Sequence, residues 1–263
     1  MGDFESAARE VARLIERSVK GAVEGESKVA IAFSGGLDSS VIAASASKHT
    51  HVVVCTAYAK KSSDAARAKE AAGDMGLPYI SYELMEEDLG QALAAMELPF
   101  VPTLMDRSLW CLYRVVSGCA RRSGTRVMLL GQLADEMFGG YAKYAEALRL
   151  KGADAAESMM GSDLREYESR GRVRDVAACR GLVEPRFPFE AEELREFAAS
   201  LPVSFKIRDG ERKAVLRRAA AILGVPERVA GAPKKAAQYS SGVQKLLTSS
   251  HFGSQKSTVG IDR

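Results

Sequence analysis

Seven consecutive residues near the start of the chain combine glycines, hydroxyls and one carboxylate in a way that suits phosphate binding. They are Ser34, Gly35, Gly36, Leu37, Asp38, Ser39 and Ser40. An apolar run at 29–33 precedes them and a small-residue stretch at 41–47 follows, which predicts a strand, a glycine-rich turn and a helix start. Backbone N–H groups at such a helix start bind anions, and glycines let the anion approach closely. We therefore expect this loop to bind the phosphate tail of a nucleotide, with Asp38 holding a cation beside the phosphates.

Other nucleotide-binding and nucleophile motifs do not fit this segment. The Walker A pattern is missing, and the turn contains no lysine. The dinucleotide Gly-x-Gly-x-x-Gly fingerprint and the Gly-x-Ser-x-Gly elbow are missing as well. An ordinary glycine-rich turn stays open as the alternative, although such a turn would not need the acid and the three hydroxyls.

A second group of residues that could do chemistry follows another apolar run, at 125–130. It reads Gly-Gln-Leu-Ala-Asp-Glu-Met-Phe-Gly-Gly-Tyr over residues 131–141, and Asp135 is its central acid. Mg2+ is commonly bound through one or two carboxylates together with phosphate oxygens. Asp38 and Asp135 are therefore predicted to hold Mg2+, one from each loop. The alternative for Asp135 is a helix N-cap alone.

The elements around the two groups must bring them together, and the apolar pattern predicts four strands separated by helices. Strands that alternate with helices indicate an α/β fold, a parallel twisted sheet with helices on both faces, in which ligands bind at the carboxyl edge. After about residue 142 the pattern predicts a C-terminal helical layer. The predicted strands cover 29–33, 51–57, 78–84 and 125–130, and the predicted helices cover 4–20, 63–75, 86–96, 104–121, 143–151, 163–170, 172–180, 190–200, 212–223 and 236–249.

Composition narrows the class of protein. The chain has 263 residues, of which 46% are apolar and 27% charged, as in an ordinary folded protein, and a net charge of +3 does not by itself indicate a nucleic-acid partner. The cysteines form no C-x-x-C pair, which disfavours a zinc or iron–sulfur site, and Cys55 is predicted to be a core residue. No apolar run is long enough to span a membrane, so a cytoplasmic location is expected.

The two loops together resemble a known family. The segment from Ser34 to Ser40 resembles the pyrophosphate-binding loop of the PP-loop ATP pyrophosphatases, and residues 131–141 resemble an element of the synthetase domain of asparagine synthetase. Weaker matches follow in the family's order at 184–189, 213–217 and 233–242. The resemblance implies an adenine nucleotide alpha hydrolase-like fold. It also implies an AMP-forming carbon–nitrogen ligase that adenylates a small carboxylate and then forms an amide with ammonia or another amine.

The resemblance implies roles for single residues as well. Gly131 joins the residues that bind ATP, and Gln132 and Tyr141 lie where the family binds its acceptor substrate. Lys234 or Lys235 is implied to act on the phosphates or the reaction intermediate, and Lys213 and Arg217 are the runner-up cations. Glu184 and Arg186 are expected to form a structural ion pair.

Two departures from the family pattern affect the nitrogen donor and the acceptor. Glutamine-using relatives carry a glutaminase domain with a cysteine at residue two, where this chain has Gly2, so ammonia is expected from solution or from a separate glutaminase subunit. The family usually has glutamate three residues before the metal-binding aspartate, where this chain has Gln132, so an acceptor other than aspartate is expected. The predicted organisation is a single domain over 1–250, with a nucleotide-binding core at 1–141 and a helical part at 142–250, followed by a loose tail at 251–263.

Two other functions stay open. Several PP-loop families adenylate a tRNA base and insert sulfur or an amine; Cys119 or Cys179 could supply sulfur here. A cluster of arginines could follow a nucleic-acid backbone: Arg165, Arg170, Arg172, Arg174, Arg180 and Arg186. A protein that only binds ATP for another subunit is the third interpretation, but it would have less need of two metal-binding acids.

Overall fold

The computed structural model describes residues 3–60, 62, 64–231 and 241–249. Within these ranges, five strands form one parallel sheet in the order β3-β2-β1-β4-β5. The strands are β1 (Lys28–Ala32), β2 (His51–Ala59), β3 (Tyr79–Leu84), β4 (Val127–Leu129) and β5 (Glu184–Arg186). All four predicted strands are confirmed, and their bounds differ from the prediction by at most two residues. The tail expected at 251–263 lies outside the described residues.

Helices cover both faces of the sheet, as predicted. Those of the first half are α1 (Phe4–Val23), α2 (Leu37–Ala46), α3 (Asp64–Asp74), α4 (Glu86–Ala94) and α5 (Leu104–Arg122). Successive strand residues point to opposite faces, so in β1 the side chains of Val29 and Ile31 enter one core and Ala30 enters the other. The first core contains α1 and α2, and the second contains α4 and α5. None of the described helices is both long and apolar enough to cross a bilayer.

The second half of the chain supplies helices, but it also contains short strands that the sequence did not predict. β5 extends the main sheet beside β4, and β6 (Ile207–Arg208) pairs with β7 (Glu211–Arg212) in a small hairpin. β5 escaped prediction because it contains Glu184, Pro185 and Arg186, and proline is tolerated in a sheet mainly at an edge. The hairpin strands are too short for a periodic pattern.

The helices of the second half are α6 (Ala134–Phe138), α7 (Ala142–Lys151), α8 (Ala153–Glu166), α9 (Arg172–Cys179), α10 (Glu192–Ser200), α11 (Val203–Lys206), α12 (Ala214–Leu223), α13 (Glu227–Ala230) and α14 (Val243–Ser249). A π-helical turn, Tyr167–Gly171, joins α8 to α9. α8 begins ten residues before the predicted helix at 163–170, because Ala156 and Met160 are buried in a small third core with Tyr144.

Candidate active site

The two predicted loops lie side by side at the carboxyl edge of the sheet. β1 and β4 are neighbours, and the strand order changes direction between them, which is where parallel sheets of this kind bind ligands. One loop leads from β1 into α2, and the other leads from β4 into α6. They pack closely, since a Cβ atom at Gly131 would lie 3.2 Å from the Cβ atom of Asp38. The fold thus joins residues 34–40 and 131–141 in one site.

The loop at 34–40, which is predicted to bind phosphate, is closed by its own hydroxyl groups. The Gly36 amide donates to Ser34 Oγ at 3.3 Å, and Ser39 Oγ donates to the Gly36 carbonyl at 3.2 Å. Gly35 has a φ of +66°, and a Cβ atom there would lie 2.8 Å from Ala68 Cα in α3. Both the backbone angle and the close approach of α3 therefore require glycine at this position.

The hydroxyls predicted to bind phosphate differ in accessibility. Ser34 is partly exposed, whereas Ser39 and Ser40 are buried. Ser40 Oγ has no hydrogen-bond partner in the described parts of the chain. The Leu37 side chain is buried as well, so that its expected contribution to phosphate binding would come from its backbone N–H group.

Arg67 on α3 also holds the loop, and the sequence analysis did not identify it. Its Nε atom donates to the Ser34 carbonyl at 3.1 Å. The contact joins residues that are 33 positions apart, and the alanine-rich sequence of α3 gives no local signal for it.

Lys213 connects the two carboxylates that were predicted to hold Mg2+. Its Nζ atom lies 2.5 Å from Asp38 Oδ1 and 2.7 Å from Asp135 Oδ1. The lysine is only 3% exposed, and its φ of +59° is an uncommon and costly conformation for a residue with a side chain. It also caps the N-terminus of α12, where a cation is electrostatically disfavoured. The ion pairs with the two aspartates offset the backbone strain and the unfavourable position at the helix N-terminus. A lysine that is retained despite both is a strong candidate for a functional residue.

Gly140 allows this cluster to form. A Cβ atom at Gly140 would lie 1.8 Å from Asp135 Oδ1 and 2.3 Å from Lys213 Cε. The Gly140 amide donates to the Asp135 carbonyl at 2.8 Å, and its own carbonyl accepts from Arg212 Nη1 at 2.9 Å. The second backbone outlier of the site, Leu133 with a φ of +73°, precedes α6 and positions Asp135.

The donor set suits a magnesium–nucleotide complex. Asp38 and Asp135 converge on one ammonium group, so their carboxylates also lie within reach of a single cation. Among the described residues, no group of three or more His, Cys, Asp and Glu side chains could hold a metal ion by itself. Mg2+ commonly takes one or two carboxylates and completes its coordination with phosphate oxygens and water.

Glu136 and Tyr141 form a partly buried pair next to Asp135. The Tyr141 hydroxyl donates to Glu136 Oε1 at 2.8 Å. Burial raises the pKa of Glu136, and the charge of Asp135 raises it further. Burial and the Glu136 carboxylate also raise the pKa of Tyr141, so its hydroxyl stays neutral near pH 7. Tyr141 is thus held beside the site as a neutral hydrogen-bonding group.

Gln132 contacts a buried charged network that the sequence did not reveal. Its Nε2 atom donates to Asp175 Oδ2, and Arg174 Nε donates to Asp175 Oδ1 at 2.8 Å. Arg174 Nη1 reaches Asp106 Oδ1 at 3.0 Å. Asp175 is fully buried, and burial raises its pKa although Arg174 opposes the shift. Asp175 lies 43 residues from Gln132 in the chain, so their contact has no local sequence signal.

The remaining predicted residues have different outcomes. Lys234 and Lys235 lie outside the described residues. The ion pair of Glu184 and Arg186 is confirmed, with Nε and Oε1 2.7 Å apart. Arg186 Nη1 also donates to the Ala22 carbonyl at 2.8 Å, which fastens β5 to the end of α1.

Most of the arginines that favoured a nucleic-acid substrate are paired inside the protein, and the two cysteines that could supply sulfur are buried. Four arginines of the cluster form ion pairs with carboxylates: Arg170, Arg172, Arg174 and Arg186. Cys119 and Cys179 are buried. Burial raises the pKa of both thiols, that of Cys179 to about 12.

The fold and the site define an α/β protein with a glycine-rich loop at the switch point of a parallel sheet. A family model for asparagine synthase matches residues 10–183 and 148–252, and the chain belongs to the asparagine synthase family.

Two relatives align with most of the chain. It is 30% identical to "Putative asparagine synthetase (glutamine-hydrolyzing) 1" of Methanocaldococcus jannaschii, covering 93% of this chain and 51% of the relative. It is 27% identical to asparagine synthetase domain-containing protein 1 of Mus musculus, covering 92% and 50%. The chain thus spans about half the length of these relatives. The structure of NMN synthetase from Francisella tularensis aligns with 98% of this chain and 90% of its own, with 11% identity and a TM-score of 0.47.

Proposed function

We propose that this protein is an ATP-dependent ligase that adenylates a small carboxylate, releases pyrophosphate and forms an amide with ammonia or another amine. The observation that carries the proposal is the contact of Lys213 with both Asp38 and Asp135 beside the phosphate loop. A binding-only protein has little need to keep a buried lysine in a strained backbone conformation between two acids.

The charge change of adenylation fits this arrangement. The carboxylate oxygen of the substrate attacks the α-phosphorus, and negative charge builds up on the leaving pyrophosphate. Cations and N–H donors fixed in place before the reaction stabilise such charge. In this proposal the backbone of residues 34–39 binds the leaving group, and the Lys213 ammonium lies beside it. Asp38 and Asp135 would hold Mg2+, which supplies further positive charge.

Other parts of the proposal rest on the family resemblance. Lys234 and Lys235 are further candidates for contact with the phosphates, and Gln132 and Tyr141 are candidates for contact with the acceptor. A separate glutaminase subunit is a candidate source of ammonia, and the reaction would take place in the cytoplasm.

Base modification of tRNA is the second candidate, and it has less support. Four of its six candidate arginines are neutralised by internal ion pairs. The thiols Cys119 and Cys179 are buried, and their raised pKa values disfavour the reactive thiolate.

Pyrophosphate–ATP exchange tests the proposal. Purified protein, ATP and Mg2+ are mixed with pools of amino acids, of other carboxylates and of bulk tRNA. We expect exchange that depends on a small carboxylate and is lost in Asp38→Ala. Asp154→Ala removes an exposed carboxylate on α8 and should keep the activity. Exchange with tRNA alone would replace the ligase by base modification, and ATP binding without exchange in any pool would leave only a nucleotide-binding role.

A further inference from the structure

The side chain of Gln132 is held in one orientation by a chain of contacts that ends at α5. Asp175 accepts from Gln132 with one carboxylate oxygen and from Arg174 with the other. Arg174 is held by Asp106, whose Oδ2 atom accepts from the Thr103 amide at 3.0 Å in a capping box at the start of α5. Asp175, Arg174 and Asp106 are each at most 4% exposed, so packing also restrains them.

This orientation decides which atom Gln132 offers to a ligand. An ionised carboxylate only accepts hydrogen bonds, so the amide nitrogen of Gln132 must face Asp175. The carbonyl oxygen Oε1 is then directed away from Asp175. Gln132 is partly exposed and precedes Asp135 by three residues, whereas Asp175 beneath it is fully buried. A ligand that reaches the exposed side of Gln132 would therefore meet an uncharged acceptor atom.

The charges around Gln132 are already balanced. Asp106 also pairs with Arg170 at 3.3 Å, so two carboxylates are matched by two guanidinium groups. Tyr113 and Tyr167 lie near enough to Asp175 for its charge to raise their pKa values, after the larger effect of burial, and both hydroxyls stay neutral. An ammonium group placed here would lose water without gaining a counter-ion from this network.

Building on the proposed function, we propose that Gln132 makes the enzyme select an acceptor that carries an uncharged hydrogen-bond donor, a hydroxyl or amide N–H, next to the reacting carboxylate. A free amino acid, which carries an ammonium group at that position, is the disfavoured substrate. The network around Gln132 provides a hydrogen bond to a neutral donor and no unpaired carboxylate, and the nearby Glu136 carboxylate is held by the Tyr141 hydroxyl, so the site discriminates between the two.

Exchange with matched pairs of carboxylates tests this selection. The pairs are lactate and alanine, glycerate and serine, and 3-hydroxypropanoate and β-alanine, which differ in a hydroxyl or an ammonium group. We expect kcat/KM for pyrophosphate–ATP exchange to be at least ~10-fold higher for the hydroxy acid, the scale of one well-placed hydrogen bond. Gln132→Glu should move this ratio toward the amino acid by a similar factor. Gln91→Glu, the same change at an exposed position of α4, should leave it unchanged.

A second variant covers the case in which Gln132→Glu fails to fold because its new carboxylate faces Asp175. Gln132→Ala removes the acceptor atom without adding charge, and the ratio within each pair should fall toward one. A preference for amino acids, or an unchanged ratio in both variants, would overturn the selection while leaving the ligase intact. Absence of exchange with every pair would also overturn it. Exchange with the broader carboxylate pools then decides separately on the proposed function.

Discussion

Gly140 and Lys213 pack so closely that a methyl group on the glycine would lie 2.3 Å from the lysine Cε atom. The same methyl group would lie 1.8 Å from Asp135 Oδ1. Real Cβ atoms do not make such contacts, so either the turn or the ion-pair cluster must move when this position changes. The geometry of the charged cluster is therefore set by a residue without a side chain.

Gly140→Ala should abolish most of the activity because it displaces Lys213 from Asp135. A misplacement of about 1 Å can cost ~100-fold in rate, and we expect a loss of at least that size in pyrophosphate–ATP exchange. The control is Gly73→Ala at an exposed position of α3, where nothing lies within 4 Å of an added Cβ atom. That change should keep the activity and raise the stability slightly, because alanine is the better helix former. Wild-type rates in Gly140→Ala would contradict a site that depends on this contact.

Lys213→Met should lower the stability and increase the response to Mg2+. Removing one partner of a buried ion pair costs about 3–5 kcal/mol, and here it removes the ammonium group that joins Asp38 and Asp135. Mg2+ added without nucleotide should then raise the melting temperature of the variant more than that of the wild type. Thermal denaturation with and without Mg2+ measures both effects.

Lys206→Met is the matched control for this experiment. Lys206 on α11 is 6% exposed and has no ion pair within 4.0 Å among the described residues. Its loss should not lower the melting temperature or create a Mg2+ response. If the two variants behave alike, the ion pairs of Lys213 with the aspartates are not what stabilises the site.

The stability gained in Lys206→Met should depend on pH. Burial lowers the pKa of Lys206 from 10.5 to about 8, although Glu157 opposes the shift. Between these values the unfolded chain binds a proton that the folded protein has released, so the stability of the wild type rises with pH. The variant lacks this contribution. We expect its advantage, of the order of 3 kcal/mol at pH 7, to shrink as the pH rises from 8 to 10.

Urea denaturation at several pH values measures this difference. Lys69→Met removes an exposed lysine on α3 and should show little change relative to the wild type across the same range. An advantage of Lys206→Met that stays constant from pH 7 to pH 10 would mean that Lys206 is charged in the folded protein throughout.

The four thiols should resist alkylation until the protein unfolds. Cys55, Cys111, Cys119 and Cys179 are all buried. Burial raises the pKa of Cys55, Cys111 and Cys179 to about 12, so little reactive thiolate exists at pH 8. A chromogenic thiol reagent should react slowly with the folded protein in buffer. In denaturant it should react rapidly with all four cysteines. Rapid reaction of Cys119 or Cys179 in the folded protein would restore support for sulfur transfer.

Local patterns were enough to predict the centre of this fold. Both loops follow buried strands of the parallel sheet. The carboxyl ends of such strands meet at one edge, so the sequence predicted that Asp38 and Asp135 lie close together. β5 was missed because a strand of two charged residues and a proline carries no apolar signal, and the sheet tolerates it only at its edge.

Contacts between distant parts of the chain were beyond such patterns. Lys213 was named through the family resemblance, but nothing in the sequence shows that it reaches Asp38, 175 residues away, or that its backbone is strained. The bond from Gln132 to Asp175 spans 43 residues and the one from Arg67 to Ser34 spans 33. Such contacts depend on how the whole chain packs, and the periodic spacing of apolar residues does not predict that packing.

The late strand β5 has a consequence for the synthesis of the protein. β4 pairs with β5 along one side, yet α6 to α9 lie between them in the chain. As the polypeptide leaves the ribosome, the first four strands can assemble while the outer side of β4 still lacks its neighbour. An open strand edge is a template for pairing with other chains, and partly folded proteins aggregate through such edges. The nascent protein therefore passes through a stage prone to self-association, which ends only when Arg186 has emerged.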